Sequence, residues 1–271
     1  MQLYNPFKPK PPLVSVIRLQ GVIASGARGF GPGDAGLSDA GLASLIERAF
    51  TKGKPKAVAI ALNSPGGSPV QSSLIAARIR RLADEKGVAV HVFVEDVAAS
   101  GGYWLACAAD SIWVDESSLV GSIGVISSGF GFTELIGRYG IERRVQTAGR
   151  SKGWGDPFLP QKPEDIERLK AILEPLHQNF IAQVKARRGA RLDATADLFN
   201  ADVWLGRKAV DLGLADGIGH LVPKMKELYG DKVRLDVYGP RRSLFRRLGL
   251  QLAGAAVSEV EDRALWARYG L

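Results

Sequence analysis

Three short apolar runs punctuate the first hundred residues. Residues 13–17, 57–62 and 88–94 are rich in β-branched side chains and read as buried strands. Between them the apolar positions change to helical spacing. Leu42, Leu45, Ile46 and Ala49 mark one face of a helix capped by Ser38 or Asp39, and Val70, Leu74, Ile75, Ile79 and Leu82 mark the inward face of a second. Residues 103–109 predict a third, buried helix and residues 111–114 a short strand. This alternation argues for right-handed βαβ units and a mostly parallel sheet, an α/β fold. Further on, residues 141–147 read as a strand. A long amphipathic helix follows Pro163, with Ile166, Leu169, Leu173, Leu176, Phe180 and Val184 on one stripe and a kink expected at Pro175. Residues 203–238 predict a small helix and a last strand.

The pattern divides the chain into three parts. Residues 1–12 form a Pro/Lys-rich extended arm, residues 13–238 a single domain with a glycine-rich loop at 24–37, and residues 239–271 a basic helical appendix. Composition agrees with a globular chain: 271 residues, 46% hydrophobic and 24% charged, which excludes disordered and fibrous classes. The net charge of +8 favours anionic surfaces. Lys and Arg are spread along the sequence, densest at Arg241, Arg242, Arg246 and Arg247. No zinc-finger spacing or aromatic RNA-binding signature accompanies them, so nucleic acid is not an expected partner. The single cysteine, Cys107, excludes a disulfide framework within one chain and reads as a small buried residue. The first twelve residues have no apolar signal core, and no stretch reaches the roughly 20 apolar residues of a membrane span. The expected location is the cytoplasm or the cytoplasmic face of the membrane.

Candidate chemistry gathers at two strand-to-helix turns that share a glycine pair. One is Ser64-Pro65-Gly66-Gly67 and the other Ala99-Ser100-Gly101-Gly102. Neighbouring parallel strands set such turns side by side at the C-terminal sheet edge, where α/β sites form. Ser100 is placed like a nucleophile there, and the Gly67 and Gly101 N–H groups can point at one oxyanion. A plain turn with Ser100 as N-cap is the competing reading. A serine hydroxyl needs a base. His91, His177 and His220 are the only histidines, and none has an orienting carboxylate close in sequence. Lys152 is the other candidate, in a glycine-rich loop with Arg150 and Trp154. Lowering a lysine pKa from about 10.4 towards 7 requires on the order of 5 kcal/mol of desolvation or positive charge.

The segments Asn63-Ser64-Pro65-Gly66-Gly67, Asp96-Val97-Ala98-Ala99-Ser100-Gly101-Gly102-Tyr103, Gly121-Ser122-Ile123-Gly124-Val125 and Ala148-Gly149-Arg150-Ser151-Lys152 stand in an order that resembles the bacterial signal peptide peptidase A family. Later residues, Trp204-Leu205-Gly206-Arg207-Lys208-Ala209 and Gly213-Leu214-Ala215-Asp216, are similar as well, so the resemblance spans roughly residues 13–225. It implies the Clp protease/crotonase superfold of stacked ββα units. It also implies a Ser-Lys dyad with Ser100 as nucleophile and Lys152 as general base, and an oxyanion hole from Gly67 and Gly101. Ser122 is an auxiliary candidate that orients the lysine or lines the site, and Tyr103 and Trp154 are candidates for the substrate cleft. The implied activity is a serine endopeptidase acting on small or apolar peptides, such as signal-peptide or membrane-protein remnants, without metal or organic cofactor. The implied assembly is a homo-oligomer in which adjacent subunits share the dyad.

Two other classes compete. A crotonase-like acyl-CoA hydratase or thioesterase uses the same pair of N–H groups but needs a carboxylate or histidine acid/base pair. A non-catalytic oligomeric scaffold would use the basic appendix from Arg241 at a membrane surface.

Overall fold

The computed structural model describes residues 11–25, 36–149, 151–239 and 263–271. The expected arm at 1–12 and appendix at 239–271 therefore fall largely outside the described residues, as do residues 26–35 of the glycine-rich loop and Arg150. In chain order the elements are β1 (Leu13–Gln20), α1 (Asp39–Thr51), β2 (Ala57–Ser64), α2 (Pro69–Lys86), β3 (Ala89–Ala99), α3 (Gly101–Ala106), β4 (Ser111–Val114), β5 (Leu119–Gly121) and α4 (Thr133–Arg138). They continue with α5 (Pro163–Arg188), β6 (Val203–Leu205), α6 (Gly206–Asp211), β7 (Gly217–Ile218), α7 (Leu221–Tyr229) and β8 (Arg234–Tyr238).

Among the described residues these strands form one eight-stranded sheet in the order β6-β5-β3-β2-β1-β8, with β4 beside β3 and β7 beside β4. Every pairing is parallel except β5 with β6. This is the mostly parallel α/β sheet that the alternating pattern predicts.

The apolar runs are continuous because both sheet faces are covered. Val58, Ile60 and Leu62 of β2 and Val90, Val92 and Val94 of β3 pack with Ile46 of α1, Ile75 and Ile79 of α2 and Leu105 of α3. The alternate residues, Val14, Val16, Ala57, Ala59 and Phe93, meet Met225 and Leu221 of α7 on the other face. Ser38 caps α1, its hydroxyl accepting from Gly41 N–H, as the sequence predicts. Two expectations need correction. Val70 and Leu74 are 61% and 46% exposed, so only the later part of the α2 stripe faces the sheet. Residues 141–147 are not a strand: they lie in the long excursion between β5 and α5, with no ladder for their N–H groups to join.

His91 lies on the α7 side of β3, half-buried. Its Nδ1 is hydrogen-bonded to Ser111 Oγ (2.7 Å) and its Nε2 to Tyr229 Oη (2.8 Å), tying β3, β4 and the end of α7 together. Burial pushes the imidazole pKa down, against a smaller upward pull from Asp110. The unfolded chain therefore takes up this proton first as pH falls below about 6.5. Stability is full above that value and declines below it. Urea midpoints measured from pH 8 to pH 5 are expected to fall more for wild type than for His91→Gln. Parallel curves for the two proteins would refute the assignment.

Candidate active site

The two glycine-pair turns lie on adjacent parallel strands, β2 and β3, at the same edge of the sheet. Gly66 approaches the second turn so closely that a Cβ on it would stand 2.8 Å from both the Ala99 carbonyl oxygen and Ser100 Cβ, and its φ is +104°. Only glycine meets both conditions. In return, a Cβ at Gly102 would collide with the backbone of Ser64. The turns are thus interlocked and hold each other's geometry.

Ser100 sits between β3 and α3 with φ 51° and ψ −123°, a backbone conformation that non-glycine residues rarely adopt. Its N–H is anchored to the Gly121 carbonyl of β5 (2.8 Å), while its carbonyl accepts from Trp104 N–H inside the helix (3.1 Å). Ser100 is the N-cap residue of α3, but its side chain makes no capping bond to the helix. Among the described residues the Ser100 hydroxyl has no hydrogen-bond partner. Strain of this kind persists where the surroundings over-determine it, and it lifts the hydroxyl clear of the sheet.

The oxyanion donors expected from the sequence lie together. A Cβ on Gly101 would come within 3.4 Å of the Gly67 nitrogen. Gly101 opens α3, so its N–H has no intrahelical acceptor. Gly67 is bridged to Ile23, but the bonds run from Ile23 N–H to the Gly66 carbonyl and from Ser68 N–H to the Ile23 carbonyl. The Gly67 N–H is left over by this pattern. Ser122 is also close in register: Ala99 pairs with Gly121, so Ser100 and Ser122 follow on adjacent strands.

The other expected site residues are placed differently. Lys152 is exposed on the excursion between β5 and α5, and among the described residues its ammonium has no hydrogen-bond or ion-pair partner. Within one chain it does not bond Ser100. Trp154, on the same excursion, is partly exposed, with the Arg168 guanidinium over its ring at 6.0 Å. Tyr103 does not line a cleft. It is fully buried, its hydroxyl donating to the Leu214 carbonyl (2.8 Å), because its helical position turns it into the core rather than outward. Cys107 is buried as expected, and burial pushes its thiol up to about 12, leaving it inert.

No histidine reaches Ser100. His91 is committed to Ser111 and Tyr229, His177 Nε2 is bonded to the Ile123 carbonyl (3.0 Å), and His220 Nε2 to Asp115 Oδ2 (2.8 Å). The Ser-His-Asp reading has no geometry behind it.

A groove of about 540 Å³ runs between α2, α3 and α5, lined by Val70, Leu74, Trp104, Leu176, Asn179 and Gln183 among others. Trp104 forms one wall, stacked on Phe180 (5.0 Å between centroids). Sequence reasoning missed this groove because helical periodicity assigned Val70 and Leu74 to the core. Among the described residues no cluster of side chains could hold a metal ion, and no helix is long and apolar enough to cross a membrane.

This mostly parallel sheet, with its two interlocked glycine-pair turns, fits a Clp protease/crotonase-like fold. The chain belongs to peptidase family S49, whose model matches residues 82–232. It is 47% identical over 274 residues to part of a Brucella melitensis protein named Na(+)/H(+) antiporter NhaA, covering 95% of this chain and 37% of that protein. It is 32% identical over 216 residues to the chloroplastic serine protease SPPA of Arabidopsis thaliana, covering 77% of this chain and 31% of that protein. The chain thus spans about a third of the length of these two relatives. Among solved structures, it resembles a membrane-bound stomatin-specific protease, a lysine-to-alanine mutant in complex with a substrate peptide. The TM-score is 0.53 at 15% identity, covering 88% of this chain and 96% of that one, which is a likeness of fold.

Proposed function

We propose that the protein is a serine endopeptidase with Ser100 as nucleophile and Lys152 as general base. What supports this reading is the closeness of Gly67 and Gly101, whose N–H groups have no backbone acceptor among the described residues, beside a strained serine whose hydroxyl has no partner among them. Ser100 attacks the scissile carbonyl, and its proton passes to the Lys152 amine acting as base. The oxyanion rests on the two N–H groups. The lysine returns the proton to the leaving amine, and a water activated by the same lysine hydrolyses the acyl-enzyme. Residues 13–238 form the catalytic unit. Ser122 orients the lysine or lines the site.

The base comes from a neighbouring copy of the chain. Support for this comes from the Lys152 ammonium, which has no partner among the described residues, and from exposed apolar side chains on the same excursion, where Ile126, Phe130 and Tyr139 are 65%, 81% and 73% exposed. Surface of that kind on a globular chain marks an interaction site. The substrates are small or apolar peptides, such as signal-peptide or membrane-protein remnants, which suit the apolar groove beside Trp104. Work on such peptides fits a location in the cytoplasm or peripherally at the cytoplasmic membrane face.

The test is labelling with a fluorophosphonate probe, mapped by mass spectrometry, alongside a generic peptide-cleavage assay. The label is expected on Ser100 and is expected to vanish in Lys152→Ala. An intact oligomer that neither labels at Ser100 nor cleaves peptides would sink the reading.

A further inference from the structure

β2 and β3 do not keep one register up to the site. Leu62 pairs with Val94, yet Ser64 pairs with Ala98. Between these pairs β2 advances from 62 to 64 while β3 advances from 94 to 98, so β3 carries two extra residues. Continued from the first pair, the register would set Gly67 level with Ala99 and leave Ser100 opposite Ser68. Continued from the second, it sets Gly66 level with Ser100 and Gly67 level with Gly101. A strand rises about 3.3 Å per residue, so the bulge shifts the nucleophile turn by roughly 7 Å against the oxyanion turn.

A bulge of this size strips backbone groups of their ladder partners, and side chains repair the loss: the Ser118 hydroxyl donates to the Glu95 carbonyl (2.6 Å), and Asn63 serves the side facing β2. Asn63 is buried. Its Oδ1 accepts from Val97 N–H (3.1 Å), and its Nδ2 donates to Asp96 Oδ2 (2.5 Å). Its own carbonyl accepts from Gly21 N–H (2.9 Å), at the start of the segment whose Ile23 holds Gly66 and Ser68. The amide supplies one acceptor and one donor at a fixed spacing, as the bulge requires. Aspartate at this position would offer acceptors only and would face a carboxylate. Glutamine would be a methylene too long.

We propose that Asn63 and Asp96 are positioning residues for catalysis. Their hydrogen bond fixes the register that brings the Gly67 and Gly101 N–H groups level beside Ser100, and neither residue touches substrate. The proposal rests on the serine peptidase reading above.

The test is a reciprocal exchange. Asn63→Asp opposes two carboxylates and is expected to lower kcat/KM by about 100-fold, mainly through kcat, the scale of loss for a misplaced site or a lost oxyanion donor. Affinity for a peptide boronate, which binds as a tetrahedral adduct, is expected to fall in parallel. Adding Asp96→Asn restores a donor–acceptor pair in the reverse sense. It is expected to return both readouts to within about threefold of wild type. Asp96→Ala changes only an exposed position, so it tests the same bond if Asn63→Asp fails to fold. Its expected loss is about 10-fold in kcat and in boronate affinity at nearly constant KM.

An Asn63→Asp protein with wild-type turnover and boronate affinity would overturn the proposal. So would a loss that Asp96→Asn leaves unrepaired, since the amide would then serve packing alone. Failure of the underlying reading looks different. Wild type itself would then neither label at Ser100 nor cleave peptide, and the proposal would fall with it.

Discussion

Ser100→Ala is expected to abolish peptide hydrolysis while leaving the fold intact. Removing the nucleophile of a serine hydrolase costs on the order of 10⁴-fold or more in kcat, with the residue supplied by binding and the oxyanion donors. The fold should not register the change through lost contacts, because the Ser100 hydroxyl bonds nothing among the described residues. The backbone still has to hold φ 51°, which alanine tolerates no better than serine. A melting temperature within a few degrees of wild type is therefore expected beside the loss of turnover. Retained hydrolysis in Ser100→Ala would remove Ser100 from the mechanism. A collapse of both readouts would show that the hydroxyl serves the fold.

The largest expected effect on stability lies behind the site. Arg188, at the end of α5, is buried with its side chain 2% exposed. It donates to both carboxylate oxygens of Asp216 (2.8 and 3.0 Å) and to the Gly213 carbonyl (2.8 Å). Asp216 also accepts from Ile112 N–H of β4 (2.7 Å). Burial works against ionisation of Asp216, but the Arg188 guanidinium and the Ile112 N–H outweigh it and hold the carboxyl below its usual range. Arg188→Met leaves that carboxylate half-buried without its main partner. Such a loss costs about 3–5 kcal/mol, or roughly 10 °C in Tm for a chain of this size. Adding Asp216→Asn removes a charge left with only the more exposed Arg191 guanidinium (3.2 Å), and is expected to regain part of the loss. Calorimetry on the two variants settles it, and a single variant as stable as wild type would show that the pair contributes nothing net.

Much of this architecture is legible in the sequence because it is local. A β-branched run, a glycine pair and a helix stripe sit within twenty residues of one another, and β2, β3 and both turns follow. Registers are not local. The two-residue shift between β2 and β3 depends on pairing across more than thirty positions, and nothing in the spacing of Asn63 or Asp96 announces that they meet. Tyr103 misleads for a related reason. It is near Ser100 in sequence, but three residues along a helix turn it away from Ser100 and into the core, while Trp104 takes the groove. Residues 141–147 carry strand-forming side chains, yet a strand needs a neighbour and the excursion offers none. Lys152 is legible only through a motif, because within one chain it makes no hydrogen bond to Ser100.

The pairing of β1 with β8, Leu13 opposite Arg234 through Ile17 opposite Tyr238, has a consequence for synthesis. β1 leaves the ribosome more than two hundred residues ahead of its outer neighbour β8. Until residue 238 emerges, one side of β1 is an open parallel edge carrying Val14 and Val16, the kind of edge that recruits other chains. A chain halted before β8 is thus expected to be aggregation-prone with every residue of the candidate site already made, so closing this edge and completing the site are separate events.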